Sequence, residues 1–337
     1  MLSRITGTAL QLCAGLLMNS IVAAEGMNFA LVGKSIDDQN FIDAAQGCQE
    51  AAALNADTCV LLGGHGDSNA HLQYNAIETA LASRQYDAIA ISVTKSEFIA
   101  QAISQARIPI LTFDSPFSGV DKVLSRGYVG ADNVAFGQEL ALMAQELKPN
   151  GGCICLMTVN HDPNLADRIL AVRRTLSGQK SFLDGQRLQG EGGWYEPERC
   201  PWNSGDNVER TMTQLSNTFN GIGSDVFLSV GAWPMNDIDA FRDTVEIYNN
   251  ELKTHKKIII IGVGKILPSY KALLKEHLVH AYVSIDFFEI GRETYRNMKK
   301  AANGESIAKT TYTKNEIVRS NSILENTTKK AATPIDK

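Results

Sequence analysis

The stretch YDAIAISVTKSEFIAQAISQARIPILTFDS, residues 86–115, decides the fold. Residues 88–93 form a short, almost wholly apolar run, which is the pattern of a strand covered on both faces. Residues 95–105 read as a helix. Residues 109–113 return to an apolar strand run, and the polar turn 114–118 follows. A buried strand, a helix and a second buried strand of this kind make one unit of a parallel sheet.

The same cycle extends in both directions. Upstream, 27–33 is a strand run. Residues 40–54 have helical spacing, with Phe41, Ala44, Ala45, Cys48 and Ala52 on one face. Then come a strand at 58–62 and a helix at 72–83. Downstream, Tyr128-Val129-Gly130 starts a new round. A helix is expected at 133–147, ended by the breaker Lys148-Pro149-Asn150-Gly151-Gly152. A strand at 153–158 and a helix at 164–176 follow, then a loop-rich region over 177–202. Beyond it the pattern predicts helices at 208–219, 238–249, 268–276 and 289–302, with strands at 225–230, 257–263 and 279–285. The chain after Gly304 is extended, and 326–337 reads as a polar tail. Two βα series in tandem predict an α/β protein of two doubly wound, Rossmann-like lobes with parallel sheets.

The bulk composition agrees and excludes some functions. A chain of 337 residues exceeds one ordinary domain, and 44% apolar with 20% charged residues is ordinary for a soluble globular protein. A formal net charge of −5, with basic runs no longer than pairs such as Lys299-Lys300 and Lys329-Lys330, argues against a nucleic-acid partner. The first two dozen residues differ from the rest. Arg4 is the only charge before Glu25, an apolar run covers 9–18, and small residues end at Val22-Ala23-Ala24. This is the pattern of a secretory signal, with cleavage expected after Ala24. The residues before Cys13, Leu10-Gln11-Leu12, do not suit lipid modification.

Export permits disulfides. Without Cys13, five cysteines remain, so at least one thiol is left over. Cys48 falls on a helix that packs on the strand carrying Cys59, and Cys200 lies in a loop that a staple would order. The pairs Cys48–Cys59 and Cys155–Cys200 are expected, the alternative for each being buried free thiols. Cys153-x-Cys155 has strand spacing and no His-rich partner motif, so no metal site is expected.

Ligands of open parallel sheets bind beyond the carboxyl ends of the strands. The candidates there are Asp38 and Phe41, Ser92, Asp114 and Ser115, Arg168, Trp233 and Asp286. Each has a structural alternative: Asp37, Asp38 and Asp114 as caps, Trp233 as core, Arg168 as surface, and His161 as a polar loop residue. Carboxylates and a guanidinium that chelate hydroxyls, with aromatic faces for C–H groups, suit a sugar. Gly63-Gly64-His65-Gly66 and Gly262-Val263-Gly264-Lys265 lack the spacing of a phosphate loop. No Gly-x-Ser-x-Gly or His-Glu-x-x-His motif occurs. No catalytic residue and no cofactor is expected.

Four stretches carry a resemblance: IPILTFDS (108–115), YVGADN (128–133), NLADRILAV (164–172) and FFEIG (287–291). With them the chain resembles the type I periplasmic binding proteins of sugar ABC transporters, the ribose- and galactose-binding group. The resemblance implies a Venus-flytrap fold joined by a three-strand hinge, with crossings near Asp132, Asp286 and Lys314. It implies lobes of 25–131 plus 286–313 and of 132–285 plus 314–325. It implies a sugar-like ligand between the lobes, gripped by Asp114 and Arg168 from opposite sides, and a monomer that meets an ABC permease, or a sensor kinase or chemoreceptor. A transcription regulator of this clamp type would carry a basic helix-turn-helix where this chain has its signal-like segment. Three positions depart from the family: Asn40 stands for an aromatic, Gly264 for an aspartate, and Ile285 for a glutamine. These departures count against a simple pentose or hexose and point to a sugar derivative, polyol or other small signal.

Overall fold

The computed structural model describes residues 26–160 and 162–320. The expected signal segment, Cys13, His161 and the polar tail lie outside the described residues. The first series runs β1 (Asn28–Val32), α1 (Gln39–Ala53), β2 (Thr58–Leu62), α2 (Ala70–Ser83), β3 (Ala88–Ile91), α3 (Ser96–Ala102), β4 (Ile110–Phe113) and β5 (Tyr128–Ala131). The second runs α4 (Asn133–Leu147), β6 (Gly152–Thr158), α5 (Pro163–Ser177), β7 (Trp194–Tyr195), β8 (Trp202–Asn203), α6 (Val208–Asn220), β9 (Val226–Ser229), α7 (Ile238–Glu246), α8 (Asn249–Lys253), β10 (Ile258–Val263), α9 (Pro268–Lys275) and β11 (Ala281–Ile285). The chain ends with α10 (Phe287–Ala302), β12 (Thr310–Thr313) and β13 (Asn315–Arg319).

Two sheets result, one in each lobe. The first has the order β12-β5-β4-β3-β1-β2 and is parallel throughout. The second has the order β13-β11-β10-β9-β6-β7, with β8 also on β6, and is parallel except for β13. The fold is the doubly wound α/β architecture that the alternating pattern predicts. The chain passes from one sheet to the other after β5, after β11, and between β12 and β13. Strands β3, β4, β9, β10 and β11 are buried along their whole length, because helices cover both faces.

Helix starts follow strand ends through side-chain caps. Asp38, Asp132, Asp162, Asp237 and Asp286 each accept a backbone N–H of the helix they precede. Helices α1 and α10 lie in backbone contact: a Cβ on Gly47 would come 1.9 Å from the Phe288 carbonyl oxygen, and one on Gly291 would come 1.8 Å from that of Ala44. Both expected disulfides are formed, Cys48–Cys59 tying α1 to β2 and Cys155–Cys200 tying β6 to the segment before β8. Cys153 is a free thiol, 3.4 Å from the Ser224 hydroxyl.

Two regions differ from the sequence expectation. The helix expected over 238–249 ends as α7 at Glu246 and a separate short helix, α8, starts at Asn249; Tyr248 between them is buried, its ring edge-on to Phe219. The loop-rich region contains the two-residue strands β7 and β8, which pair in turn with β6. A buried ion pair, Arg173–Glu196, holds this excursion to α5, and Glu196 also accepts the Leu188 N–H.

Candidate functional site

A cavity of ~810 Å³ lies between the lobes, at the carboxyl ends of the strands. The first lobe contributes the residues after β1 and β4: Lys34, Asp38, Asn40, Asp114 and Ser115 among them. The second contributes Asn160 and Asp162 after β6, Asn164 and Arg168 from α5, the turn Gly231-Ala232-Trp233 after β9, and Gly264 after β10.

Asp114 is the most constrained of these. Its backbone has φ 57°, in the left-handed region that Asp tolerates better than most residues. Its N–H donates to the Val129 carbonyl (2.9 Å), which ties the turn to the neighbouring strand. Its own carbonyl accepts from the Tyr128 hydroxyl (2.9 Å) and from Asn164 Nδ2 (3.0 Å). The carboxylate accepts from Ser92 Oγ (2.7 Å) and lies 3.5 Å from Lys34 Nζ. Lys34 also donates to Ser115 Oγ (2.7 Å) and stands 4.0 Å from Asp162 across the cleft. An amine between two carboxylates thus bridges the lobes.

Arg168 is buried beneath the opposite wall. Its Nε donates to Asn133 Oδ1 (2.7 Å), its Nη1 donates to the Val230 carbonyl (2.9 Å), and the guanidinium stacks 4.4 Å from the Phe136 ring centroid. Nη2 has no hydrogen-bond partner among the described residues. Burial pulls its pKa down, while the charges of Asp114 and Asp162 oppose that shift. Asp38 caps α1 through the Asn40 N–H (2.9 Å). Desolvation raises its carboxyl above the usual range, the Asn40 N–H opposes, and the Asp114 charge adds to the rise. Phe41 forms a buried wall, edge-on to Phe113 and Phe287. Trp233 donates its indole N–H to Asp206 Oδ1 at 2.6 Å.

Six of the eight sequence candidates therefore line one cavity: Asp38, Phe41, Asp114, Ser115, Arg168 and Trp233. Ser92 does not line it; the side chain is fully buried and serves to orient Asp114. Asp286 does not line it either. It is exposed, and its carboxylate accepts the Glu289 N–H (2.9 Å) as the cap of α10, while its neighbours Ile285 and Phe287 face the cavity. Capping and cleft-lining compete for the residue after a strand, and here the helix takes it. Sequence reasoning missed Lys34, Asn164 and Asp206. Lys34 follows β1 within two residues, so the rule that selected Asp114 could have found it. Asp206 carries no local signal, because the strand it follows, β8, is two residues long and has no period to detect.

Among the described residues, no group of His, Cys, Asp and Glu is arranged to hold a metal ion. No described helix is long and apolar enough to cross a membrane.

Residues 29–306 match the family model described as a periplasmic binding protein domain. Comparison with curated protein sequences gives no match. Among solved structures, the chain is similar to an ABC transporter solute-binding protein from Burkholderia graminis in complex with D-arabinose (TM-score 0.72, 18% identity, 89% of this chain and 97% of that one). It is likewise similar to a solute-binding protein from Agrobacterium vitis with bound D-fucose (0.71, 17%, 90% and 98%). A third is GanP, a glucose-galactose binding protein from Geobacillus stearothermophilus (0.70, 18%, 88% and 98%). At these identities the likeness is one of fold.

Proposed function

This chain belongs to the periplasmic binding protein family, a family of solute-binding rather than catalytic proteins, and on that premise we propose that it is exported and captures a sugar, sugar derivative or polyol for an ABC importer. The observation that carries this reading is the cleft: a space of ~810 Å³ walled by both lobes, with carboxylates, a buried guanidinium and an indole on its faces. Hydroxyls of a sugar can donate to Asp114 and Asp38 and accept from Arg168, while its C–H face meets Trp233. Proteins of the same fold that hold D-arabinose and D-fucose support the ligand class. In this reading the lobes are 25–131 plus 286–313 and 132–285 plus 314–325, and the signal is removed after Ala24.

A thermal-shift screen against monosaccharides, polyols and their derivatives tests the proposal. A ligand at a thousandfold excess over its Kd stabilises the fold by about 4 kcal/mol, and it is recovered chemically unchanged. Absence of any hit across the panel refutes the sugar reading. Co-purification with a sensor kinase ectodomain, in place of a permease, would move the role from import to signalling.

A further inference from the structure

We propose that Asp206 is a positioning residue of the ligand cleft: it takes the indole N–H of Trp233 out of play and fixes the ring, so that Trp233 offers a ligand only an apolar face. This rests on the reading of the cleft as the binding site. The indole is held at two points. Nε1 donates to Asp206 Oδ1 at 2.6 Å, and the far edge of the ring lies against Gly231, where a Cβ would come 2.6 Å from Cη2. Any larger residue at position 231 displaces the ring.

Asp206 is itself rigidly delivered. It lies in the left-handed region, φ 55°, and its N–H donates to Ser204 Oγ (3.3 Å). Ser204 is fully buried, and its N–H donates to the Thr158 carbonyl at the end of β6 (3.0 Å). Gln214 on α6 donates to the Asn203 carbonyl (3.0 Å). Six residues before Asp206, Cys200 is bonded to Cys155 in the middle of β6. The loop excursion between α5 and α6 therefore ends as a built support beneath one plate of the cleft. A free indole N–H would recruit a hydroxyl or water. With that donor already bound to a carboxylate, polar recognition falls to Asp114 and Arg168, and Trp233 selects for a C–H surface.

Trp233 emission in the unliganded protein gives the test. Subtracting the spectrum of Trp233→Phe isolates it from Trp194 and Trp202. Asp206→Ala, and Asp206→Gly, which suits the backbone there, should at least double the acrylamide quenching constant of Trp233 and lower its anisotropy. Asp206→Asn, which keeps an acceptor oxygen, should restore both. In the Trp233→Phe background, Asp206→Gly should no longer change the melting temperature. Unchanged quenching in Asp206→Gly, or an equal melting shift in both backgrounds, overturns the proposal. In titrations with D-arabinose and D-fucose, Asp206→Gly should weaken binding about tenfold, and the double variant no further than Trp233→Phe alone. If neither sugar binds the unaltered protein, these two ligands are excluded, and the fluorescence result still decides the role of Asp206.

Discussion

At the scale of single residues, the cleft is a set of charges that are largely satisfied before any ligand arrives. Asp114 is held by Ser92, Lys34, Tyr128 and Asn164, so it is pre-organised and costs little to order on binding. Asp114→Ala and Arg168→Ala should each weaken ligand binding by roughly 2–4 kcal/mol, since each removes a desolvated charged partner. Calorimetric titration beside a melting curve separates this from unfolding; wild-type affinity in both variants refutes the site. Two departures from the family pattern meet in space. A Cβ on Gly264 would come 2.2 Å from Asn40 Oδ1, so the loss of a side chain at 264 makes room for the one at 40. No single-sequence reading could pair them, because the contact joins different lobes.

His280 offers a second test at this scale. Burial drops its pKa to about 4. Its Nδ1 accepts the Ile259 N–H and its Nε2 donates to the Leu252 carbonyl, an arrangement only the neutral ring can make. His255 and His277 nearby oppose protonation as well. The unfolded chain therefore takes up the proton first as pH falls. Stability is present above pH ~6.5 and is lost between there and about 4, by about 3 kcal/mol at most. Urea unfolding at pH 7.5 and 5 should show that loss, and His280→Gln should flatten it.

At the scale of elements, α1 and α10 pack backbone to backbone. Gly47 and Gly291 let each backbone touch the other. Gly47→Ala and Gly291→Ala should each destabilise the protein by about 1–3 kcal/mol, read as a lower urea midpoint with unchanged slope. Elements with long apolar runs were legible in the sequence: β2 and α4 begin and end where the pattern places them. The excursion over 177–203 was not, because strands of two residues have no period to detect. The break between α7 and α8 was hidden too; Tyr248 between them meets Phe219 in a tertiary contact, which leaves no local pattern. Six cleft residues were legible because strand order puts their loops at one end. Asp286 stands apart from them because it caps α10, and capping leaves the same sequence signature as ligation.

At the scale of the whole molecule, the lobes touch across the cleft at Lys34–Asp162, at Asn164 with Asp114 and Ser115, and at Lys265–Asp43. A few polar contacts thus latch the two lobes to each other across the cleft. Lys265→Glu sets two carboxylates face to face. Small-angle scattering should then give a larger radius of gyration for the unliganded protein, and ligand binding should weaken several-fold; an unchanged radius refutes the latch. The three passages between sheets have a consequence for synthesis. The first sheet draws its strands from residues 28–131 and its outer strand, β12, from 310–313, while α10, which seals α1, starts at 287. A chain emerging from a ribosome or a translocation channel amino end first cannot finish this lobe until nearly all of the other has emerged. The half that begins first is completed last, and under the export proposed above that delay keeps the chain threadable for as long as a narrow channel needs it.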